Sequence, residues 1–317
     1  MSSTSATDTV SAALREDIHF PSSSLQCAAW HYPAGASRTG ACIVMAHGFG
    51  ATRDYGLDAY ARQFQESGYA VLLFDYRHFG DSDGEPRGLL DVRKQHEDWA
   101  AAITYCRSLG YDRIILWGTS FAGGHVLHVA AHRNDIAAVI AQVPHISGPA
   151  SALSAPIWPL GPLLRLWFAV MIDILLRPFG RRAFVKVFGE PGSAAAMSTP
   201  GAYASLIRML PADPAGKDGM SWRDYFDANN RVTASSLLQV LFYSPGAHAD
   251  RIRAPVLIQA GRKDRTTPFD PAERAARAIP ACDFIAYDID HFDIYLGNAF
   301  DVAIADQLRF LNRLFAA

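Results

Sequence analysis

The chain has 317 residues, half of them hydrophobic and 19% charged, and its formal net charge is −2. This length and composition predict one large folded domain with an insertion and argue against a disordered chain. No cluster of lysine and arginine residues recurs along a helical face, so the charge pattern argues against a nucleic-acid partner.

Residues 1–16 are predicted to form a flexible N-terminus. Residues 1–13 are rich in Ser, Thr and Ala, and they lack the basic start and continuous apolar stretch of a signal peptide. We therefore expect a cytoplasmic protein. The cysteines contain no CxxC pair, so their spacing indicates neither a zinc site nor a redox dithiol. They are Cys27, Cys42, Cys106 and Cys282.

Short apolar runs rich in Val, Ile and Leu alternate with longer amphipathic segments along most of the chain. This alternation is typical of an α/β fold, with a mostly parallel central sheet and helices on both faces. An antiparallel hairpin at residues 17–33 is expected on the sheet edge. Strands are predicted at residues 25–31, 41–46, 70–74, 113–117, 137–142, 256–260 and 284–288. Helices are predicted at residues 55–67, 91–108, 121–133, 271–278 and 300–315.

The alternation breaks at residues 145–250, which separate two strands that a single helix would otherwise join. Prolines and aromatic residues recur in this segment. We interpret it as a helical cap over the carboxyl edge of the sheet, where ligands bind in open α/β folds. The α/β core is then residues 17–144 and 251–317. Trp158 and Trp167 of the cap are candidate substrate contacts.

One stretch of this insertion, residues 157–176, is strongly apolar and about as long as a membrane span. Pro159, Pro162, Arg165 and Asp173 interrupt it. A charge in the middle of a span costs about 2.5 to 3.5 kcal/mol. We interpret the stretch as a cap helix that is buried or faces the substrate, with contact to a membrane surface as the alternative.

Residues 118–124 read Gly-Thr-Ser-Phe-Ala-Gly-Gly and lie between a predicted strand and a predicted helix. A nucleophilic serine at such a turn has a strained backbone, and its neighbours must be small for the strand and the helix to approach. Ala122 stands where glycine is usual, and one extra methyl group is tolerable. Ser120 is the candidate nucleophile, and an ordinary strand-to-helix turn is the alternative.

A serine hydroxyl becomes nucleophilic when a histidine, oriented by a carboxylate, takes its proton. In sites of this kind the acid and the histidine follow the serine, on loops after later strands. His291 follows the last predicted strand, and Asp264 follows the strand at 256–260. We predict them as base and acid; a surface histidine and a helix N-terminal aspartate are the structural alternatives. The competing acids are Asp270, Asp288 and Asp290.

The negative oxygen that forms on the substrate during serine attack needs hydrogen-bond donors. One is expected from the backbone amide of Phe121, directly after the serine, and one from the loop at residues 47–50. Phe49 of that loop is the candidate donor and a candidate substrate contact. His47 is expected to hold the loop by hydrogen bonds. His125 and His128 share a helix face but lack an obvious third ligand, so a metal site is not indicated.

Four segments together make the sequence resemble the α/β-hydrolase superfamily over nearly the whole chain. They are residues 47–50 (His-Gly-Phe-Gly), 75–82, 118–123 and 291–293 (His-Phe-Asp). The resemblance is to dienelactone-hydrolase-like proteins, particularly the group of fungal polyketide transferases. It implies a triad of Ser120, Asp264 and His291 and no cofactor. Dienelactone hydrolases themselves use a cysteine nucleophile, so their substrate does not carry over.

The sequence therefore predicts a hydrolase of a small carboxylic ester, thioester or lactone with a hydrophobic acyl group, acting through an acyl-enzyme on Ser120. The same residues would serve an acyltransferase of the polyketide-transferase type, in which a bound alcohol or amine replaces water. A ligand-binding protein without turnover is the alternative of another class. The sequence does not specify an oligomeric state.

Overall fold

The computed structural model describes residues 15–34, 40–154 and 160–315. Of the N-terminus predicted to be flexible, residues 1–14 fall outside the described residues, and Glu16 already belongs to the first strand. Trp158 also falls outside them.

The described residues contain a central sheet of eight strands and a smaller sheet of three. The central sheet has the spatial order β1-β2-β4-β3-β5-β6-β10-β11; its β1–β2 and β2–β4 pairs are antiparallel, and its other pairs are parallel. In chain order the strands are β1 (Glu16–Ser22), β2 (Leu25–Tyr32), β3 (Ala41–Ala46), β4 (Ala70–Phe74), β5 (Arg113–Thr119), β6 (Ala138–Gln142), β7 (Phe184–Phe188), β8 (Ala195–Met197), β9 (Arg231–Thr233), β10 (Val256–Gly261) and β11 (Cys282–Tyr287).

The predicted α/β class and mostly parallel sheet are confirmed. The predicted strands are present with bounds shifted by no more than two residues, and the expected hairpin is the β1–β2 pair. Strands β3, β4, β6 and β10 are buried along their whole length. Strands covered on both faces have continuous apolar sequences, and for this reason their positions were predictable.

Helices lie on both faces of the central sheet. Trp117 of β5 contacts Tyr60 and donates a hydrogen bond to Gln307 on one face, while Phe74 of β4 packs against Trp99 on the other. The helices in chain order are α1 (Leu57–Glu66), α2 (Val92–Ser108), α3 (Phe121–Ala131), α4 (Gly148–Ser154), α5 (Leu160–Leu176), α6 (Ala202–Arg208), α7 (Trp222–Asn229), α8 (Ser236–Phe242), α9 (Phe269–Ala278) and α10 (Gly297–Phe315).

The segment from residue 145 to 250 contains helices α4 to α8 and, in addition to the predicted helices, the sheet β8-β7-β9. The sequence of β7, Phe-Val-Lys-Val-Phe, alternates in burial: Val185 and Val187 are buried and Lys186 is exposed. This period of two residues is typical of a strand with one covered face, and it is the signal that would have predicted this sheet.

Residues 160–176 of the predicted apolar stretch form helix α5, and residues 157–159 fall outside the described residues. None of the helices within the described ranges combines the length and the apolarity needed to cross a membrane.

Helices α2 and α3 meet through a buried cluster of histidines. Tyr243, which follows α8, lies with its hydroxyl 2.9 Å from Nε2 of His96 and 2.8 Å from Nδ1 of His125. Because Nε2 of His125 lies 2.8 Å from Oε1 of the Gln95 side chain, that nitrogen carries the proton and Nδ1 accepts the tyrosine hydroxyl. The ring of His128 stacks on His96 at 4.1 Å. The cluster is therefore built from neutral imidazoles.

This packing predicts that acid destabilises the protein below neutral pH. Burial, then the neighbouring His128 and His132, lower the pKa of His96 to about 3, against about 6.5 for an unfolded histidine. The unfolded chain therefore binds the proton first, so this contribution to stability is complete above about pH 6.5 and is lost as the pH falls toward 3. We expect the free energy of unfolding in urea to drop by about 2 kcal/mol between pH 7 and pH 5 from this histidine alone.

The control is His96→Gln, whose amide can still donate to Tyr243. Between pH 7 and pH 5 the free energy of unfolding of this variant should fall by about 2 kcal/mol less than that of the unmodified chain. An equal loss in both proteins would contradict the assignment.

Candidate active site

Ser120 occupies a tight turn between β5 and α3. It is buried and has a φ of 56°, a conformation that is strained for a residue with a side chain. A Cβ on Gly118 would lie 2.2 Å from the Ala122 carbonyl oxygen, and one on Gly124 would lie 2.3 Å from the His145 carbonyl oxygen. Glycine is therefore required at both positions, while the methyl group of Ala122 is accommodated in the core.

The structure brings the three residues predicted for the triad together from separate loops. Nε2 of His291 lies 3.0 Å from Oγ of Ser120, and Nδ1 of His291 lies 2.7 Å from Oδ2 of Asp264. Since a carboxylate is an acceptor, Nδ1 of His291 carries the proton, and Nε2 is left to accept the serine hydroxyl. All three side chains are more than nine-tenths buried.

Thr267 holds the Asp264 carboxylate in position, and sequence reasoning missed it. Oδ1 of Asp264 accepts the backbone amides of Thr266 and Thr267 at 2.8 and 2.7 Å, and Oδ2 accepts the Thr267 hydroxyl at 2.8 Å. An aspartate followed closely by two threonines is a turn signal that could have indicated this arrangement. The competing Asp290 instead accepts the backbone amide of His291 at 2.7 Å.

The amides predicted to bind the developing negative charge belong to residues beside Ser120. The Phe49 and Phe121 rings pack edge to face with centroids 5.8 Å apart, and a Cβ on Gly48 would lie 3.1 Å from Cβ of Ser120. Among the described residues, neither the Phe49 amide nor the Phe121 amide donates a hydrogen bond to another protein group. Both donors are thus available to a ligand at Ser120.

His47 lies in the same loop and makes local contacts. Its Nδ1 is 3.0 Å from the carbonyl oxygen of Gly48, and its Nε2 is 3.6 Å from Oδ1 of Asp75. Burial lowers the pKa of His47, so the ring is neutral. Burial would raise the pKa of Asp75, but the charge of Arg53 holds it below its usual value. These contacts place His47 among the residues that hold the loop.

Lys217 connects the segment at residues 145–250 to this loop. Its ammonium lies 2.8 Å from Oδ2 of Asp54 and 3.0 Å from Oδ1 of Asp81. Arg53 also binds Asp81, at 2.7 Å. Because removal of one member would leave a charge poorly compensated in a largely buried place, this network fixes the loop against the segment.

A cavity of about 360 Å³ begins at Ser120 and extends between the sheet and the segment at residues 145–250. Its walls are mostly apolar, and the buried His145, which sequence reasoning also missed, contributes to them. His145 follows β6 at the carboxyl edge of the sheet, and that position is the signal that could have found it. The lining residues are Phe49, Ser120, Phe121, His145, Gly148, Ser151, Ala152, Leu163, Leu166, Ala196, Met197, Ser198, Thr199, Leu237, Val240, Leu241, Arg265, Thr266 and Thr267.

The structure does not bring Trp167 into this cavity, and this corrects its prediction as a substrate contact. Its side chain is 58% exposed on α5, whereas Leu163 and Leu166 of the same helix line the cavity. The rotation of the helix decides which residues face inward, and an apolar sequence on all sides does not specify that rotation. Phe49, the other described candidate contact, does line the cavity.

A second cavity, of about 30 Å³, borders Ser120 on another side. His291, Tyr295 and Phe49 also line it. Within the described ranges, no group of three or more His, Cys, Asp or Glu side chains is arranged to hold a metal ion.

Comparison with known proteins agrees with this architecture. Residues 42–297 match the family described as alpha/beta hydrolase fold. The quorum-quenching protein AidA of Acinetobacter baumannii is 38% identical over 304 residues, which cover 94% of each chain. The polyketide transferase ATR5 of Stachybotrys chlorohalonatus is 29% identical over 308 residues, covering 95% of this chain and 97% of ATR5.

Among solved structures, the alpha/beta hydrolase GrgF from Penicillium sp. sh18 is similar with a TM-score of 0.72 and 24% identity. The match covers 96% of this chain and all of the GrgF chain. The family match spans more than half of the sequence, and the sheet order and the turn at Ser120 agree with it. This chain belongs to the α/β-hydrolase fold family.

Proposed function

We propose that the protein hydrolyses a carboxylic ester, thioester or lactone with a hydrophobic acyl group through an acyl-enzyme on Ser120. The observation that carries the proposal is the continuous hydrogen-bonded chain from Ser120 through His291 to Asp264, which opens on an apolar cavity. A serine, an imidazole and a carboxylate in this order are the groups that acyl transfer requires.

The geometry supports a definite division of roles. As the Ser120 oxygen attacks the carbonyl carbon, Nε2 of His291 takes the hydroxyl proton, and Asp264 stabilises the resulting imidazolium. The Phe49 and Phe121 amides receive the negative charge on the carbonyl oxygen. His291 then gives the proton to the leaving oxygen or sulfur as that bond breaks. A water molecule, deprotonated by His291, then attacks the acyl carbon. As the bond to Ser120 breaks, His291 returns the proton to the serine oxygen and the acid is released.

The large cavity supports a hydrophobic acyl group. Its volume of about 360 Å³ lies within the range of small-molecule sites, and side chains such as Leu166, Leu237 and Val240 line it. Similarity to a quorum-quenching protein and to a polyketide transferase is compatible with small acyl substrates.

A water molecule would reach the acyl-enzyme beside His291, which lines the smaller cavity at Ser120. The polyketide transferase relative favours acyl transfer as the second candidate. Product analysis with and without added alcohols distinguishes the two: free acid as the sole product supports hydrolysis, and a new ester supports transfer.

A fluorophosphonate should label the protein with one equivalent at Ser120, because the activated hydroxyl attacks phosphorus as it would a carbonyl. Mass spectrometry of the labelled peptide identifies the site. Ser120→Ala should abolish labelling and hydrolysis of a p-nitrophenyl ester. A folded chain that binds an ester without labelling or turnover would instead indicate a ligand-binding protein.

Asp264→Asn should lower kcat by at least about a thousandfold with the fold retained, because the amide favours the wrong tautomer of His291. Asp290→Asn is the matched control on the neighbouring loop, since an amide oxygen can still accept the His291 backbone amide. Its kcat should change far less. Comparable losses in the two variants, measured with a p-nitrophenyl ester and checked by circular dichroism, would refute the role of Asp264.

Leu237→Trp should reduce kcat/KM for long-chain acyl esters by about tenfold or more relative to acetate esters, because the indole fills part of the cavity. Leu238→Trp is the control, since Leu238 is exposed on the same helix and does not line the cavity. Chain-length profiles of the two variants and the unmodified protein measure the effect. Identical profiles would mean that the acyl group lies elsewhere.

A further inference from the structure

Helix α5 is apolar on all sides although it lies on the surface. Its inward stripe contains Leu166, Val170 and Asp173, spaced three or four residues apart. A surface helix normally has polar residues on the opposite side. Here that side is also apolar, and it exposes large side chains: Leu163, Leu164, Trp167, Phe168, Met171, Ile172, Ile174 and Leu175.

An ionic anchor fixes this orientation of the helix. The buried Asp173 carboxylate accepts two hydrogen bonds from the Arg182 guanidinium, both at 2.8 Å. It also accepts the backbone amides of Ala183 and Ser235, both at 2.9 Å. A rotation of α5 would bury its outer apolar side only by breaking these bonds to a buried charge, which is costly. The bonds to Asp173 therefore keep the apolar side of α5 facing outward.

The exposed apolar surface continues on neighbouring helices around the mouth of the cavity. Leu153 of α4 is 86% exposed, and Phe242 at the end of α8 is 76% exposed. Both helices also line the cavity that begins at Ser120. Leu163 is both exposed and part of the cavity lining, so the cavity reaches the surface at the apolar side of α5. Leu153, Phe242 and the exposed residues of α5 together form the apolar rim.

The charges on and directly after α5 are mostly positive. Between residues 160 and 182 the sequence has four Arg residues and one acid, Asp173, whose charge Arg182 neutralises. Arg165, Arg177 and Arg181 are exposed on or directly after α5. The whole chain has a net charge of −2, so this local excess of positive charge is opposite to the overall balance.

We propose that the apolar rim docks onto the surface of a membrane that contains anionic phospholipids. An apolar helix flanked by arginines is the arrangement that lies in the lipid interface, where the arginines meet phosphate groups. Positive flanks would repel the same flanks of a second copy of this chain, and for this reason a lipid surface fits better than a symmetric dimer. The inference uses only surface residues and does not depend on chemistry at Ser120.

Docking in this orientation turns the mouth of the cavity toward the lipid. Amphiphilic molecules dissolved in the membrane could then enter past Leu163 without crossing water. This would supply a hydrophobic acyl substrate to Ser120 from the bilayer, and water would remain available through the rest of the protein surface.

Co-sedimentation of the full chain with vesicles tests the proposal. We expect binding to vesicles of phosphatidylcholine mixed with phosphatidylglycerol, and weaker binding to phosphatidylcholine alone. The double variant Phe168→Ser, Leu175→Ser should bind at least about tenfold less, because it removes exposed apolar surface that the lipid would cover. The matched control is the double variant Leu109→Ser, Val302→Ser. Leu109 directly follows α2 and Val302 lies on α10, and both are exposed apolar residues outside the apolar rim. This control should bind vesicles as the unmodified chain does.

A second pair of substitutions isolates the electrostatic contribution. Arg177→Gln, Arg181→Gln should weaken binding to the anionic vesicles by about fivefold for each arginine, with little effect on phosphatidylcholine vesicles. Hydrolysis of a water-soluble ester should be unchanged in both double variants, which separates loss of docking from loss of folding.

Three outcomes would overturn the proposal. The first is absence of vesicle binding together with a dimer that the Phe168→Ser, Leu175→Ser variant converts to a monomer, which would identify the apolar rim as an interface between copies. The second is absence of vesicle binding by a monomer. The third is vesicle binding that both double variants retain in full, which would exclude this surface.

Discussion

The close approach of strand β5 and helix α3 at Ser120 is the constraint on which the rest of the site depends. Gly118 and Gly124 leave no room for a side chain, and Ser120 takes a strained backbone conformation with positive φ at the carboxyl edge of the sheet. The Phe121 amide follows directly at the start of α3 and, among the described residues, donates no hydrogen bond to another protein group. The loops that provide His291, Asp264 and Phe49 are arranged around this one turn.

Buried charges hold the surrounding parts in fixed positions. Asp75 and Arg53 tie the Phe49 loop to the neighbouring strand, and Lys217 extends that network to the segment at residues 145–250. Asp173 and Arg182 fix helix α5 in the same segment. Because an unpaired buried charge is costly, such pairs specify one arrangement of the loops even where their net contribution to stability is small.

The segment at residues 145–250 has two apolar surfaces, and helix α5 contributes to both. The inner surface lines the cavity next to Ser120, and the outer surface forms the apolar rim at its mouth. In the proposals above, the inner surface receives an acyl group and the outer one receives a lipid surface. Helix α5 belongs to both, which explains why its sequence is apolar on all sides.

The sequence alone determined the sheet, the order of its elements and the residues of the site that follow from local pattern. Continuous apolar strands, the glycine-rich turn at Ser120 and the placement of His291 after the last strand are local signals, because backbone sterics and burial act over a few residues. The period-two pattern of β7 could also have predicted the small sheet.

Only the tertiary structure decided which aspartate meets His291 and which side of α5 faces the cavity. Asp264 and Asp290 both lie on loops near His291, and the selection depends on the path of two distant loops in space. The apolar residues of α5 give no signal for its rotation, and the ion pair of Asp173 with Arg182, just beyond the end of the helix, decides it. The contact of His291 with Asp264 joins residues on two separate loops, and no local pattern encodes it.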